Sequence, residues 1–136
     1  MTHVDASPPN RIFIVDDHPL IRRVLRQVLE FEPDLAVVGE AVSGEDALEQ
    51  LHRQVPDLVL VDFSLPGMDG AELIRRLTQK HPRLCCIVVS SHHEPLYAKL
   101  ALDAGAHGYV TKGDPEALIG AIGRVLNGET VVDTGC

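Results

Sequence analysis

Short apolar runs alternate with amphipathic stretches five times along the chain. Most of these runs are continuous rather than alternating in hydrophobicity, which is typical of strands that helices cover on both faces. The alternation therefore predicts five β-α units that build one parallel sheet. The predicted strands are residues 12–15, 35–42, 58–61, 84–89 and 108–111.

The amphipathic stretches carry the signals of helix ends. Prolines at a first helical position, where the missing N–H costs nothing, are expected to begin three helices. Two pairs that resemble capping boxes are expected to begin the other two. These residues are Pro19, Pro95 and Pro115, then Ser43 with Asp46 and Asp69 with Glu72. Gly105 and Gly128 are expected to end the fourth and fifth helices.

The first and fifth predicted helices each have an apolar stripe. In the first helix, six apolar side chains recur at helical spacing, namely Leu20, Ile21, Val24, Leu25, Val28 and Leu29. Three arginines are expected to face outward as a small basic patch, namely Arg22, Arg23 and Arg26. In the fifth helix, Gly120 and Gly123 each cost about 1 kcal/mol relative to alanine. Close packing or an interface would compensate for that cost.

Length and charge narrow the classes of protein to which the chain can belong. Its 136 residues, 45% of them hydrophobic, suit one domain rather than two. A formal charge of -8 would repel nucleic acid and anionic membranes, so no direct nucleic-acid binding by this chain is expected. No apolar run approaches the roughly 20 residues that span a bilayer, and residues 1–10 do not resemble a signal peptide. The expected location is the cytoplasm.

Polar and charged residues follow four of the five predicted strands. Asp16 and Asp17 follow the first, Asp62 the third, Ser90 the fourth and Lys112 the fifth. Ligands of open α/β sheets bind outside the carboxyl ends of the strands, so these side chains are expected to converge. Neighbouring carboxylates repel one another, and a cluster of them usually implies a hard cation such as Mg²⁺. The alternative for Asp16 and Asp17 is that they only cap the first helix.

Three segments resemble the receiver domain of two-component response regulators. They are Val-Asp-Asp-His-Pro at residues 15–19, Val-Asp-Phe-Ser-Leu-Pro-Gly-Met-Asp-Gly at 61–70 and Ala-Gly-Ala-His-Gly-Tyr-Val-Thr-Lys at 104–112. The resemblance covers about residues 11–128 and is strongest to the NarL/FixJ (LuxR-type) branch. It implies an α/β fold of the flavodoxin-like (βα)5 type, a doubly wound parallel sheet with strand order 2-1-3-4-5.

The resemblance implies a phosphoacceptor and a metal site. Asp62 would be the nucleophile that takes a phosphoryl group from a sensor histidine kinase. Mg²⁺ would be the cofactor, held by Asp16, Asp17, Asp62 and the backbone carbonyl of Ser64.

The resemblance also implies roles for residues around that site. Lys112 and the Ser90 hydroxyl would each bind a phosphoryl oxygen. Tyr109 would be the switch aromatic, which turns inward when the Ser90 hydroxyl moves to the phosphoryl group. The alternative is that Tyr109 is simply a half-buried strand residue. Ser64 and His92 occupy positions that in this family tune how readily water reaches the acyl phosphate.

Other classes of phosphate-handling protein fit less well. A haloacid-dehalogenase-like phosphatase needs a second aspartate two residues after the nucleophile, where this chain has Ser64. A nucleotide-binding module would need G-x-G-x-x-G, a Walker lysine or a hydroxyl-rich phosphate loop, and the sequence contains none of these. A receiver that no longer takes phosphate would have lost the nucleophile, the acidic pair or the lysine. This sequence keeps Asp62, Asp16 with Asp17, and Lys112.

The family resemblance further implies partners and a domain plan. The chain would be a signalling domain rather than an enzyme, assisting its own phosphotransfer and dephosphorylation, and it would form a phosphorylation-dependent homodimer. Residues 1–10 are expected to be a flexible segment, 11–128 the receiver domain, and 129–136 a tail or the start of an interdomain linker. The output is then transcription through a C-terminal helix-turn-helix domain absent from this chain. The alternative is a single-domain regulator that acts by protein contacts.

Overall fold

Six parallel strands and five helices alternate in the computed structural model, which describes residues 8–134. The strands are β1 (Asn10–Val15), β2 (Leu35–Ala41), β3 (Leu58–Asp62), β4 (Cys85–Ser90), β5 (Gly108–Thr111) and β6 (Val131–Asp133). The helices are α1 (Pro19–Glu30), α2 (Gly44–Leu51), α3 (Gly70–Lys80), α4 (Pro95–Ala104) and α5 (Pro115–Leu126). All five predicted strands form, and their bounds lie within two residues of the predicted ones.

The sheet has the order β2-β1-β3-β4-β5-β6, and every neighbouring pair of strands is parallel. The predicted α/β fold with the order 2-1-3-4-5 is therefore confirmed, and a sixth strand is added beside β5. Because all the strands are parallel, their carboxyl ends meet at one edge of the sheet.

β6 departs from the expected tail or linker at residues 129–136. Val132 pairs with Tyr109 of β5, and the N–H of Val131 donates to the His107 carbonyl at 3.1 Å. The strand has only three residues, of which Val131 alone is buried, so its sequence lacks an apolar run. At the other end, Asn10 already belongs to β1, while residues 1–7 of the expected flexible segment lie outside the described residues.

Strand side chains point alternately into two apolar cores, one on each face of the sheet. Val59 and Val61 of β3 belong to the core under α2, α3 and α4. Leu58 and Leu60 of the same strand belong to the core under α1 and α5. This arrangement explains the continuous apolar runs of the sequence. None of the helices in residues 8–134 has the length and apolar character that crossing a bilayer requires.

The predicted helix ends are present. The Asp46 N–H donates to Ser43 Oγ at 3.1 Å, and the Glu72 N–H donates to Asp69 Oδ1 at 2.8 Å. Each bond satisfies a backbone donor that the first turn of a helix leaves free. Gly105 ends α4 at φ 116°, a left-handed conformation that residues with a Cβ rarely adopt.

The apolar stripe of α1 is narrower than predicted. Leu25 and Leu29 are buried against the sheet, whereas Leu20 is 66% exposed and Val24 is 43% exposed. The helix therefore presents apolar side chains both to the core and to solvent.

The expected outward basic patch on α1 is wrong for two of its three arginines. Arg22 Nε lies 3.2 Å from Glu40 Oε1, and Arg26 Nε lies 2.6 Å from Glu40 Oε2. Glu40 belongs to β2, the strand beside α1, and its carboxylate attracts both guanidinium groups. Arg23 is exposed as expected.

Candidate functional site

The carboxyl ends of four strands bring the predicted site residues together. Asp62 and Ser90 are the last residues of β3 and β4, while Asp16 and Lys112 directly follow β1 and β5. Asp16, Asp62 and Ser90 are buried, which is unusual for aspartate. The Lys112 N–H donates to the Ser90 carbonyl at 2.7 Å, so the ends of β4 and β5 are held in register.

The Lys112 ammonium lies between two of the buried carboxylates. Its Nζ is 3.2 Å from Asp16 Oδ2 and 3.6 Å from Asp62 Oδ1, and its side chain is 20% exposed. A cation at this position offsets part of the repulsion between the two carboxylates.

His18, which directly follows the two aspartates in the segment 15–19, is a further member of the acidic cluster. Its Nδ1–H donates to Asp16 Oδ1 at 2.9 Å and lies 3.2 Å from Asp17 Oδ1 and 3.8 Å from Asp62 Oδ2. The hydrogen bond to Asp16, followed by the charge of Asp17, raises the pKa of the exposed His18 imidazole. Its position directly after the aspartate pair is the only sequence signal for this role.

The surroundings of Asp62 disfavour the charged form of its carboxyl group. Burial, and after it the charge of Asp16, raises the pKa of the Asp62 carboxyl, while Lys112 and the Ser64 N–H oppose the rise. The Ser64 N–H donates to Asp62 Oδ1 at 3.3 Å. The Ser64 N–H thus contacts the site, while ligation by the Ser64 carbonyl stays a prediction.

The donor set fits a hard cation. Oxygen and nitrogen atoms of Asp16, Asp17, His18 and Asp62 lie within 4.8 Å of one another. Within the described residues, two buried carboxylate oxygens of this group, Asp17 Oδ1 and Asp62 Oδ2, have no hydrogen-bond partner. Buried oxygens without donors are costly, and a divalent cation that prefers carboxylate oxygens would satisfy them. Asp16, Asp17 and Asp62 could therefore bind a metal ion.

Ser90, His92 and Tyr109 form one hydrogen-bonded group beside the pocket. The His92 N–H donates to Ser90 Oγ at 3.1 Å, and the Tyr109 hydroxyl donates to the His92 carbonyl at 2.7 Å. Tyr109 is fully buried rather than half-buried. Burial raises the pKa of the Tyr109 phenol, and a hydrogen bond with Ser90 opposes the rise. The backbone of His92 thus joins the two residues expected to act as the switch.

Aromatic rings extend this group toward the end of β3. The His92 ring stacks on Tyr97 of α4 with ring centres 4.1 Å apart. Tyr97 in turn meets Phe63 edge to face at 5.6 Å, and Phe63 directly follows Asp62. His93 directly follows His92, and its Nδ1–H donates at 2.8 Å to the carbonyl of Thr134, the residue after β6. The loop after β4 therefore contacts α4, β5 and the end of the described chain.

Gly70 lies directly against the backbone of Asp62 and Phe63. Its N–H donates to the Phe63 carbonyl at 3.2 Å, which joins the start of α3 to the end of β3. A Cβ at this position would lie 2.6 Å from the Asp62 carbonyl oxygen. Only a glycine leaves room for this close approach of two backbones.

Comparisons with known proteins agree with this geometry. Residues 12–123 match the family described as "Response regulator receiver domain". The chain is 42% identical over 123 residues to "Transcriptional activator protein ExaE" of Pseudomonas putida, covering 90% of this chain and 58% of that protein. It is 39% identical over 127 residues to "Nitrate/nitrite response regulator protein NarL" of Escherichia coli (strain K12), covering 91% of this chain and 58% of that protein.

A solved structure agrees as well. The crystal structure of a LuxR-family two-component response regulator from Aurantimonas sp. SI85-9A1 has a TM-score of 0.86 at 36% identity. The similarity covers 90% of this chain and 89% of that chain. By contrast, this chain spans less than two thirds of the length of the curated relatives described above.

Proposed function

The chain belongs to the family of response regulator receiver domains, whose members partner with sensor kinases, and we propose that it accepts a phosphoryl group on Asp62. The environment of Asp62 carries the proposal. Its Oδ1 is 3.6 Å from the Lys112 ammonium, and its Oδ2 has no hydrogen-bond partner within the described residues. One oxygen thus lies beside a cation, while no donor is committed to the other.

In the proposed transfer, an Asp62 carboxylate oxygen forms a bond to phosphorus while the phosphorus–nitrogen bond to the kinase imidazole breaks. The imidazole keeps the electron pair and takes a proton. Lys112 is positioned to contact both the carboxylate and a transferred phosphoryl group.

Asp16, Asp17, Asp62 and the backbone carbonyl of Ser64 would hold Mg²⁺. When bound, the ion supplies positive charge that offsets the phosphoryl oxygens. The chain's own contribution is to hold the three carboxylates close together in a partly buried pocket despite their repulsion, with the Lys112 ammonium and the His18 imidazole beside them.

The proposed switch uses Ser90 and Tyr109. The Ser90 hydroxyl, which would donate to a phosphoryl oxygen, also accepts from the His92 N–H, and the His92 carbonyl is held by Tyr109. Movement of Ser90 therefore changes the loop that packs on α4. Ser64 and His92 would tune dephosphorylation, which the domain assists as it does phosphotransfer.

Transcription control is the proposed output, exerted in the cytoplasm through a C-terminal helix-turn-helix domain outside this chain. ExaE is described as a transcriptional activator, and NarL as a response regulator, and both are longer than this chain. Direct DNA binding by this chain is not proposed, because its charge is -8 and Glu40 pairs Arg22 and Arg26. A regulator that acts only through protein contacts is the alternative.

A homodimer through α1 and α5 is part of the proposal. An apolar hollow of about 180 Å³ lies between these helices, and its lining includes the exposed Val24. A Cβ added at Gly120 or Gly123 of α5 would meet nothing within 4 Å, so a second chain could approach α5 closely. Sedimentation with and without beryllofluoride tests this. The dimer should form with the phosphoryl analogue and be lost in Gly123→Arg, whereas Leu100→Arg on α4 serves as the matched control.

Labelling with acetyl phosphate tests the central assignment. Wild-type protein with Mg²⁺ should gain one phosphoryl mass that hydroxylamine removes, and excess EDTA should prevent the gain. Asp62→Asn should gain none. Wild-type labelling rates in Asp62→Asn would refute the phosphoacceptor, and undiminished labelling in EDTA would refute the metal requirement.

A further inference from the structure

Arg22 of α1 contacts the backbone of the acidic pocket. Its Nη1–H donates to the Asp16 carbonyl at 2.7 Å, while its Nε lies 3.2 Å from Glu40 Oε1. The side chain is only 17% exposed. The planar guanidinium can make both contacts at once because its donors are fixed relative to one another.

The carbonyl that Arg22 holds belongs to the peptide that joins Asp16 to Asp17. Such a peptide is a rigid plane, so holding its oxygen fixes how the plane is turned. The Asp16 N–H is held as well, because it donates to the Ala41 carbonyl at 3.1 Å. The directions in which the two aspartates leave the backbone therefore depend on the contact with Arg22.

Arg26 provides an internal comparison. It shares Glu40 with Arg22, its Nε lying 2.6 Å from Glu40 Oε2, and it also pairs with Glu30 at 3.3 Å. Its contacts with these two glutamates do not involve the backbone of the acidic pocket. The two arginines thus have the same helix and the same carboxylate in common, but Arg22 alone bonds to the Asp16 carbonyl.

We propose that Arg22 is a positioning residue of the acidic pocket. Through the Asp16 carbonyl it holds the Asp16–Asp17 peptide in the orientation that keeps the carboxylates of Asp16, Asp17 and Asp62 close enough to share one cation. The part that concerns the cation rests on the proposed function. The part that concerns the backbone stands without it.

Electrostatics alone predicts the opposite effect, which makes the inference testable. Arg22 is a cation beside a proposed cation site, so removing its charge should strengthen Mg²⁺ binding if charge were its only contribution. A positioning role predicts weaker binding instead. Residues that orient metal ligands typically change metal affinity by about 10-fold or more when they are replaced.

The experiment is a Mg²⁺ titration of ¹⁵N-labelled protein, following backbone amide resonances in wild type, Arg22→Met and Arg26→Met. Arg22→Met should weaken Mg²⁺ binding about 10-fold and should shift the Asp17 and His18 amide resonances before any metal is added. Arg26→Met should bind Mg²⁺ within twofold of wild type and leave those resonances in place.

Several outcomes would overturn the inference. They are unchanged or tighter Mg²⁺ binding in Arg22→Met, unshifted Asp17 and His18 resonances, or an equal loss in Arg26→Met. If Arg22→Met does not fold, Arg22→Lys takes its place, since lysine keeps the charge but cannot contact Asp16 and Glu40 with one rigid group. If wild-type protein fails to bind Mg²⁺, the proposed metal site is refuted, and the resonance shifts without metal still decide the role of Arg22.

Discussion

The same substitution at two glycines is expected to change stability in opposite directions. At Gly70 an added Cβ would lie 2.6 Å from the Asp62 carbonyl oxygen, and 3.0 and 3.1 Å from Cα and the carbonyl oxygen of Phe63. All three neighbours are backbone atoms, which cannot rotate away as a flexible side chain can. At Gly120, within α5, the added Cβ would meet nothing within 4 Å.

The contacts set the size of each effect. Overpacking of this kind costs roughly 1–3 kcal/mol, so Gly70→Ala should lower the free energy of unfolding by about that amount. Gly120→Ala should raise it by about 1 kcal/mol, because alanine is the better helix former and nothing obstructs it. The two variants should then differ by about 2–4 kcal/mol, or roughly 10 °C in Tm for a chain of this size.

Urea unfolding followed by circular dichroism measures both free energies, at a protein concentration low enough to keep the chain monomeric. Phosphorylation by acetyl phosphate provides a second measurement. Gly70→Ala should slow it, because the backbone of Asp62 must move, whereas Gly120→Ala should leave it unchanged. If Gly70→Ala were as stable as wild type, or if Gly120→Ala were destabilised, the packing argument would be refuted.

Three further predictions concern the pocket and the sheet. In EDTA, Asp62→Asn should have a higher Tm than wild type at pH 7, because the raised pKa of folded Asp62 makes wild-type stability fall as pH rises from about 4 through the folded pKa. The difference in Tm should therefore close toward about pH 4, and a difference independent of pH would contradict this. Tyr109→Phe should lower the free energy of unfolding by about 1–2 kcal/mol, since the His92 carbonyl loses its donor, and an unchanged urea midpoint would count against that bond. Val131→Ala should cost about 2 kcal/mol if β6 is formed in solution, whereas Val132→Ala, on the exposed side of the strand, should cost little.

The strands and the pocket could be predicted because both follow from one property of the sequence. Alternate residues of a covered strand enter opposite cores, so Leu58 to Val61 had to be apolar throughout, and the run ends where Asp62 leaves the cores. Parallel strands then bring Asp62 to the same edge as Asp16 and Lys112. No knowledge of side-chain contacts is needed for either step.

The residues that were missed depend on contacts that periodicity does not encode. Arg22 has the spacing of a solvent-facing residue, and its contacts with Glu40 on the adjacent β2 and with the Asp16 carbonyl are what hold it over the pocket. His18 reads as part of a helix start until its ring is seen beside Asp16. β6 has one buried residue, Val131, and a single apolar position cannot distinguish a strand from a loop.

The direction of β6 decides where attached groups should be placed in experiments. β1 begins at the amino edge of the sheet, at Asn10, whereas the parallel β6 ends at the carboxyl edge, where the Thr134 carbonyl is bonded to His93. The described chain therefore begins at the edge of the sheet opposite Asp62, and an affinity tag placed before it suits phosphorylation assays. A dye or fusion partner attached after Thr134 begins beside the loop that carries His92, so it can perturb that loop or report on its movement.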